Sequence, residues 1–179
     1  MKRLLGILVL MALAALFYHK SMARFGSGSP PPMVDAEQQV DFISVRKSQR
    51  TLSLFKDGQP ISIFRIALGA AGDEGSKRQE GDGRTPEGLY KIDWRNARSA
   101  YHLSLHISYP DAHAISDASR RGVVPGSNIM IHGLPNGWGW LGPVHRLLDW
   151  TDGCIAVTNA EMRDIWSRVP DGTPIQIEP

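Results

Sequence analysis

Only one segment of the body of this chain carries a strong helical period. Thr158-Asn-Ala-Glu161 is a capping box, in which the threonine hydroxyl and the glutamate carboxylate satisfy each other's backbone N–H groups. Met162, Ile165, Trp166 and Val169 follow at helical spacing, and Pro170 and Gly172 stop the run. Upstream, back to about residue 38, the pattern is one of short β-rich runs separated by glycine and proline. Strands are predicted at 41–45, 51–55, 59–67, 88–93, 101–109, 128–131, 154–157 and 174–177, with a hairpin turn at Lys56-Asp57-Gly58. A mostly β domain with one or two helices, of the sandwich or barrel type, is the consistent outcome.

A length of 179 residues is one domain's worth, and 42% apolar against 21% charged residues is enough to build a core. Cys154 is the single cysteine, so no intrachain disulfide and no cysteine-rich zinc site can form. The formal charge of +2 rests on 20 Lys+Arg against 18 Asp+Glu. Four of those cations, Lys2, Arg3, Lys20 and Arg24, precede residue 25, and without them the balance is −2. Such a body lacks the basic stripe that a phosphate backbone requires, which excludes a nucleic-acid protein as the favoured class.

Met1-Lys2-Arg3 precedes an unbroken apolar run over 4–17, the basic and apolar regions of an export signal. The run is shorter than a full bilayer span, but with Tyr18 added and His19 and Lys20 snorkelling it makes a short anchor. Residues 1–23 are therefore read as an export signal or N-terminal anchor, with Ser21-Met22-Ala23 as an imperfect cleavage site. The Gly/Ser/Pro-rich stretch 24–37 is a linker, and 38–179 is the folded domain. This puts the domain in the periplasm or cell envelope, with the membrane reached only through the N-terminal segment.

A lone thiol in an oxidising compartment asks for a reason, because it is open to oxidation and mispairing. Gly153 beside Cys154 is the residue that lets a substrate carbonyl approach the backbone, and a nucleophilic cysteine needs a base nearby. Among six histidines, His132 ends an apolar strand and is followed at once by Gly133, the rigid rim position that suits a base. His102 and His106, four apart on the predicted 101–109 strand, share a face, and His113 lies in a polar loop. A metal reading of His132, His145, Asp149, Asp152 and Cys154 ranks below thiol chemistry, since their spacing matches no compact zinc motif. The glycine-rich stretch 133–142 carries Trp138 and Trp140 and reads either as a lid over an extended substrate or as tryptophans packed at a core edge.

With these residues in place the sequence resembles the L,D-transpeptidase catalytic domain, the YkuD-type fold of bacterial cell-wall enzymes. The matching residues are His132-Gly133, Thr151-Asp152-Gly153-Cys154, Asn159, the segment Thr85-Pro86-Glu87-Gly88-Leu89-Tyr90, and Pro125-Gly126. Two positions depart from that pattern: Asp152 stands where the family usually has histidine, and Ala156 where arginine is frequent. The resemblance implies Cys154 as nucleophile, His132 as proton donor and acceptor, and the backbone N–H groups of Gly153 and Cys154 as an oxyanion site. Gly133, Trp138, Trp140, Arg146, Thr151 and Asp152 are the expected substrate-binding residues, with Arg146 a candidate to offset the Asp152 charge.

The implied substrate is a peptidoglycan tetrapeptide stem, and the acceptor is another stem or a wall-attached protein. No cofactor is required. A hydrolase on the same stems and a non-catalytic murein-binding module are the alternatives. Asp152 has two readings: it either raises the thiol pKa by like-charge repulsion or orients His132. The first is favoured, because the family works with a histidine there.

Overall fold

Alternating buried and half-buried side chains make strands of Phe42–Arg46 (β1) and Thr51–Lys56 (β2), in line with their β-branched and aromatic content. Asp57 and Gly58, both at positive φ (51° and 73°), turn β2 into Gln59–Arg65 (β3). That two-residue turn has the twist a hairpin needs. Gly88–Asn96 (β4), Ser104–Ile107 (β5), Met130–His132 (β6), Ile155–Ala156 (β7) and Pro174–Glu178 (β8) complete the set. The computed structural model describes residues 2–25 and 28–179; Met1, from the predicted export segment, and Gly26 and Ser27, from the predicted linker, lie outside the described residues.

The eight strands form one sheet in the order β3-β2-β1-β8-β4-β5-β6-β7. β1 pairs with β8, and β6 with β7, in parallel; the other neighbours are antiparallel. The sheet curls back on itself, because the chain just past β3 bridges β7. Ala67 and Ala156 exchange two backbone hydrogen bonds of 2.9 and 2.8 Å, and Gly69 bridges Thr151. The result is a mostly β half-barrel with few helices. Ile43, Leu52, Leu54, Ile92, Leu105, Ile131 and Ile155 fill its interior together with Met162, Ile165 and Trp166 of the helix Asn159–Arg168.

That helix starts as expected: the Thr158 hydroxyl accepts the Glu161 N–H, and Glu161 Oε2 accepts the Thr158 N–H at 2.9 Å. Other expectations need correction. Residues 112–120 form a helix, Ala112–Arg120, capped by Asp111 whose carboxylate accepts the Ala114 N–H at 2.8 Å, so His113 is helical and not in a loop. β5 is shorter than the predicted 101–109 strand because His102 sits at φ 66°, which no strand residue adopts. His102 and His106 therefore share no strand face, and His106 instead meets Asp93 at 2.6 Å and stacks on Trp94. Asn128, at φ 58°, likewise delays the start of β6. In chain order the helices are α1 (Lys2–Phe25), α2 (Ala112–Arg120) and α3 (Asn159–Arg168).

α1 runs past the apolar segment and includes Leu4–Arg24, 21 residues of mean hydropathy 1.8, none of them buried, although Tyr18 and Met22 touch Gly137 of the domain. It is long and apolar enough to cross a membrane, a test that a signal sequence near the N-terminus also passes.

Candidate active site

β6 and β7 lie side by side with Ile131 opposite Ile155 and His132 opposite Ala156. Carrying that register one step back brings Cys154 level with Met130, whose N–H lies 3.4 Å from the cysteine Sγ. Alternate residues of a strand share a face, so Cys154 and His132 leave the sheet rim on the same side. Both line a hollow of about 370 Å³ with Tyr101, Asn128, Trp150, Thr151 and Asp152.

His132 is buried, and its Nδ1 lies 2.6 Å from the Gly133 carbonyl oxygen. A carbonyl only accepts, so Nδ1 carries the proton of the neutral ring and Nε2 keeps a free lone pair. Tyr101 packs on the ring at 4.7 Å and Trp150 meets it edge-on at 5.8 Å. Burial pushes the imidazole down to about 4, against the Gly133 carbonyl, and the nearby His145 adds to the lowering. At neutral pH the ring is an unprotonated base.

Burial also raises the Cys154 thiol above its ordinary value, and the Asp152 carboxylate adds to that rise. The Met130 N–H and the Lys77 ammonium act in the opposite direction. The resting pair is thus a thiol and a neutral imidazole, not a thiolate and imidazolium. Such a pair forms thiolate only as the imidazole takes the proton.

Thr151 holds the backbone of Cys154: its hydroxyl donates to the Cys154 carbonyl at 2.7 Å and accepts the Gly153 N–H at 3.2 Å. Gly153 is not an open approach for substrate. It is buried at φ 121°, and a Cβ there would lie 2.4 Å from the Arg84 carbonyl oxygen, so glycine is required by packing. Its N–H is turned to Thr151.

Several expected substrate residues lie elsewhere. Gly133 packs against Asn159 and His102 and acts through its carbonyl on His132. Arg146 pairs with Glu161 of α3, so Lys77, not Arg146, offsets charge at the thiol. Trp138 lines a separate apolar hollow, with Trp140 exposed beside it at a ring distance of 6.0 Å. Neither tryptophan lines the cysteine hollow. Asp152 does line it, exposed, while the proton on His132 Nδ1 goes to Gly133, which removes the orienting reading of Asp152.

Asn159, at the start of α3, accepts the Leu134 N–H through Oδ1 at 2.8 Å and so ties the stretch after His132 to the helix. Asp149 holds Arg50, and His145 accepts the Trp150 indole N–H at 3.4 Å, which draws both away from a shared metal site. Among the described residues no group of three or more His, Cys, Asp or Glu is arranged to hold a metal. Tyr101, Trp150, Lys77 and the Met130 N–H are site groups that sequence reasoning missed. The signal for Met130 was the parallel pairing of the two short strands, which only the fold supplies.

Residues 40–177 match the family model of the L,D-transpeptidase catalytic domain, YkuD. A curated Escherichia coli (strain K12) protein named L,D-transpeptidase YafK is 27% identical over an alignment of 117 residues that covers 60% of this chain and 45% of that protein. Among solved structures, Bd1075 of Bdellovibrio bacteriovorus is similar at 25% identity and TM-score 0.54, over 83% of this chain and 51% of that one. The helical cell shape determining protein Pgp2 of Campylobacter jejuni shares the fold at 20% identity and TM-score 0.58, over 89% of this chain and 55% of that one. The chain spans about half the length of these relatives. A match over most of the folded body, on a half-barrel that brings cysteine and histidine to one rim, makes this chain a member of the L,D-transpeptidase catalytic domain (YkuD) family.

Proposed function

We propose that the chain is an exported L,D-transpeptidase acting on peptidoglycan stem peptides through a thioester on Cys154. The observation that carries this reading is the placement of His132 at the end of β6 and Cys154 just before the parallel neighbour β7, both lining one hollow, with His132 Nδ1 committed to a carbonyl. His132 Nε2 takes the thiol proton as sulfur attacks the carbonyl of the stem's third residue, a diamino acid. The Met130 N–H steadies the developing thiolate, and the Cys154 N–H holds the oxyanion, since Gly153 is engaged with Thr151.

Collapse of the tetrahedral adduct breaks the peptide bond. His132 returns its proton to the departing D-alanine amine, which leaves a thioester on Cys154. An amine of a second stem or of a wall-attached protein then attacks the thioester and gives its proton to His132. The amide forms as sulfur leaves and is reprotonated. α1 serves as the export signal or as an anchor that keeps the domain at the membrane's outer face.

Incubation with purified muropeptides, followed by mass analysis, tests the reading. Products with the mass of two stems less one D-alanine support transfer, and loss of D-alanine alone assigns hydrolysis instead. Cys154→Ala should form no covalent adduct while binding substrate; an adduct on this variant would remove the nucleophile assignment.

A further inference from the structure

Between Gly133 and Leu148 the chain has no acidic residue. The same stretch turns large apolar side chains outward: Trp140 is 74% exposed, Leu147 80% and Leu148 74%. Val144 is exposed with them, and Val144, Leu147 and Leu148 line, with Leu134, Leu141 and Trp150, an almost wholly apolar hollow of about 490 Å³, beside which Trp140 stands against Trp138. A contiguous apolar surface of this kind marks an interaction site.

The end of α1 borders the patch. His19 lines the hollow, and the Tyr18 hydroxyl donates to the Gly137 carbonyl at 3.3 Å. Gly137 packs so closely on α1 that a Cβ there would lie 2.7 Å from the Tyr18 hydroxyl oxygen and 3.0 Å from Met22 Cγ. These contacts fix the depth of the patch once α1 crosses a bilayer. Leu4–Arg24 is about 30 Å long at 1.5 Å per residue, about the thickness of the hydrocarbon core, so Tyr18 to Met22 occupy the outer end of the span, just inside the headgroup boundary. Gly137, held by Tyr18 and Met22, lies at that boundary, so the side chains around it meet lipid. Tryptophan is the residue type enriched at that level, and an acid-free surface meets no repulsion from anionic headgroups.

We infer that the insert between His132 and Cys154 is a membrane-seating element, in which Trp140, Val144, Leu147 and Leu148 enter the headgroup–acyl boundary of the bilayer that α1 crosses. The inference rests on the reading of α1 as a retained anchor. The occupant of the apolar hollow is then lipid acyl chain. Trp150 walls both this hollow and the one that holds Cys154, so the thiol works one side chain away from the membrane surface.

The test uses the full chain reconstituted in phosphatidylethanolamine–phosphatidylglycerol vesicles containing acyl-brominated lipid. The signal of Trp140 is taken as the difference between the parent and Trp140→Phe. The expected result is strong bromolipid quenching of that difference signal, with weaker quenching in Leu147→Ser/Leu148→Ser at unchanged thermal stability. A Trp140 signal quenched by aqueous iodide and untouched by bromolipid would put the insert in water and overturn the inference. Shielding of Trp140 that grows with protein-to-lipid ratio would assign the patch to a second copy and overturn it equally. The anchor is tested separately by the intact mass of chain extracted from cell membranes. Loss of residues 1–23 refutes the anchor, whereas a full-length mass with unquenched Trp140 refutes the seating alone.

Discussion

Arg50 donates through Nε and Nη2 to one carboxylate oxygen of Asp149, at 3.0 and 2.8 Å, while the other oxygen accepts the Leu68 N–H at 2.7 Å. Asp149 is thereby a rivet between the end of the insert and the segment that closes the half-barrel, two residues before Thr151. Asp149→Ala should lower stability by about 1.5–3 kcal/mol, the range for hydrogen bonds to charged groups. Asp149→Asn, which keeps an acceptor for Leu68, should lose less. Urea unfolding of the two variants checks the order, and equal losses would show that the Leu68 contact contributes nothing.

His132→Ala should slow acylation of Cys154 by about 10²–10⁴-fold, the usual contribution of a general base. Burial holds the imidazole near 4, so the base form persists well below its ordinary titration range. The acid limb of kcat/KM should therefore have its midpoint near pH 4 and not near 6.5. The same lowering has a stability sign. The unfolded chain takes up this proton first, so stability from neutral His132 is full above about pH 6.5 and is lost as pH falls toward 4. His132→Gln should flatten the urea midpoint over that window.

Much of this architecture was legible locally. The β2–β3 hairpin announced itself through Asp57-Gly58, and α3 through the Thr158/Glu161 box, because both depend on neighbours in sequence. α2 was missed because only Ala118 of its residues is buried, which leaves no apolar stripe to read; Asp111 as N-cap was its one local signal. The cysteine and histidine were recognisable from their flanking glycines and the family pattern. The rest of the site was not, because side chains on an irregular insert point where distant partners place them. Arg146 turns to Glu161, far along the chain, and Trp138 and Trp140 turn away from the thiol.

Lys47 shows the same limit in the core. A lysine after a strand reads as a surface residue, yet this one is fully buried, with Nζ 2.6 Å from the Gly75 carbonyl and 2.7 Å from Glu87 Oε1. It fastens the loop whose Arg84 carbonyl backs Gly153. Lys47→Met should cost about 3 kcal/mol, near the lower end for breaking a buried pair, since Glu87 keeps some contact with water. Adding Glu87→Gln should recover part of that loss by removing the stranded charge. Denaturant midpoints for the single and double variants decide it, and a double variant weaker than Lys47→Met would refute the charge argument.

Asp152 lines the cysteine hollow without holding His132. Its carboxylate faces the thiol as a like charge to the thiolate and adds to the rise that burial imposes. Neutralising it removes repulsion and leaves the Met130 N–H and Lys77 to favour the anion. Asp152→Asn should therefore lower the thiol pKa and speed alkylation at neutral pH, with the gain shrinking as pH approaches the parent's thiol pKa. The rate of iodoacetamide alkylation between pH 6 and 10, read by intact mass, measures both. Asp152 is exposed, so added salt should screen its effect in the parent and narrow the gap between the two proteins. An unchanged thiol pKa in the asparagine variant would mean that solvent and ions already neutralise the charge, and a higher one would mean that Asp152 favours the thiolate; either outcome refutes the like-charge account.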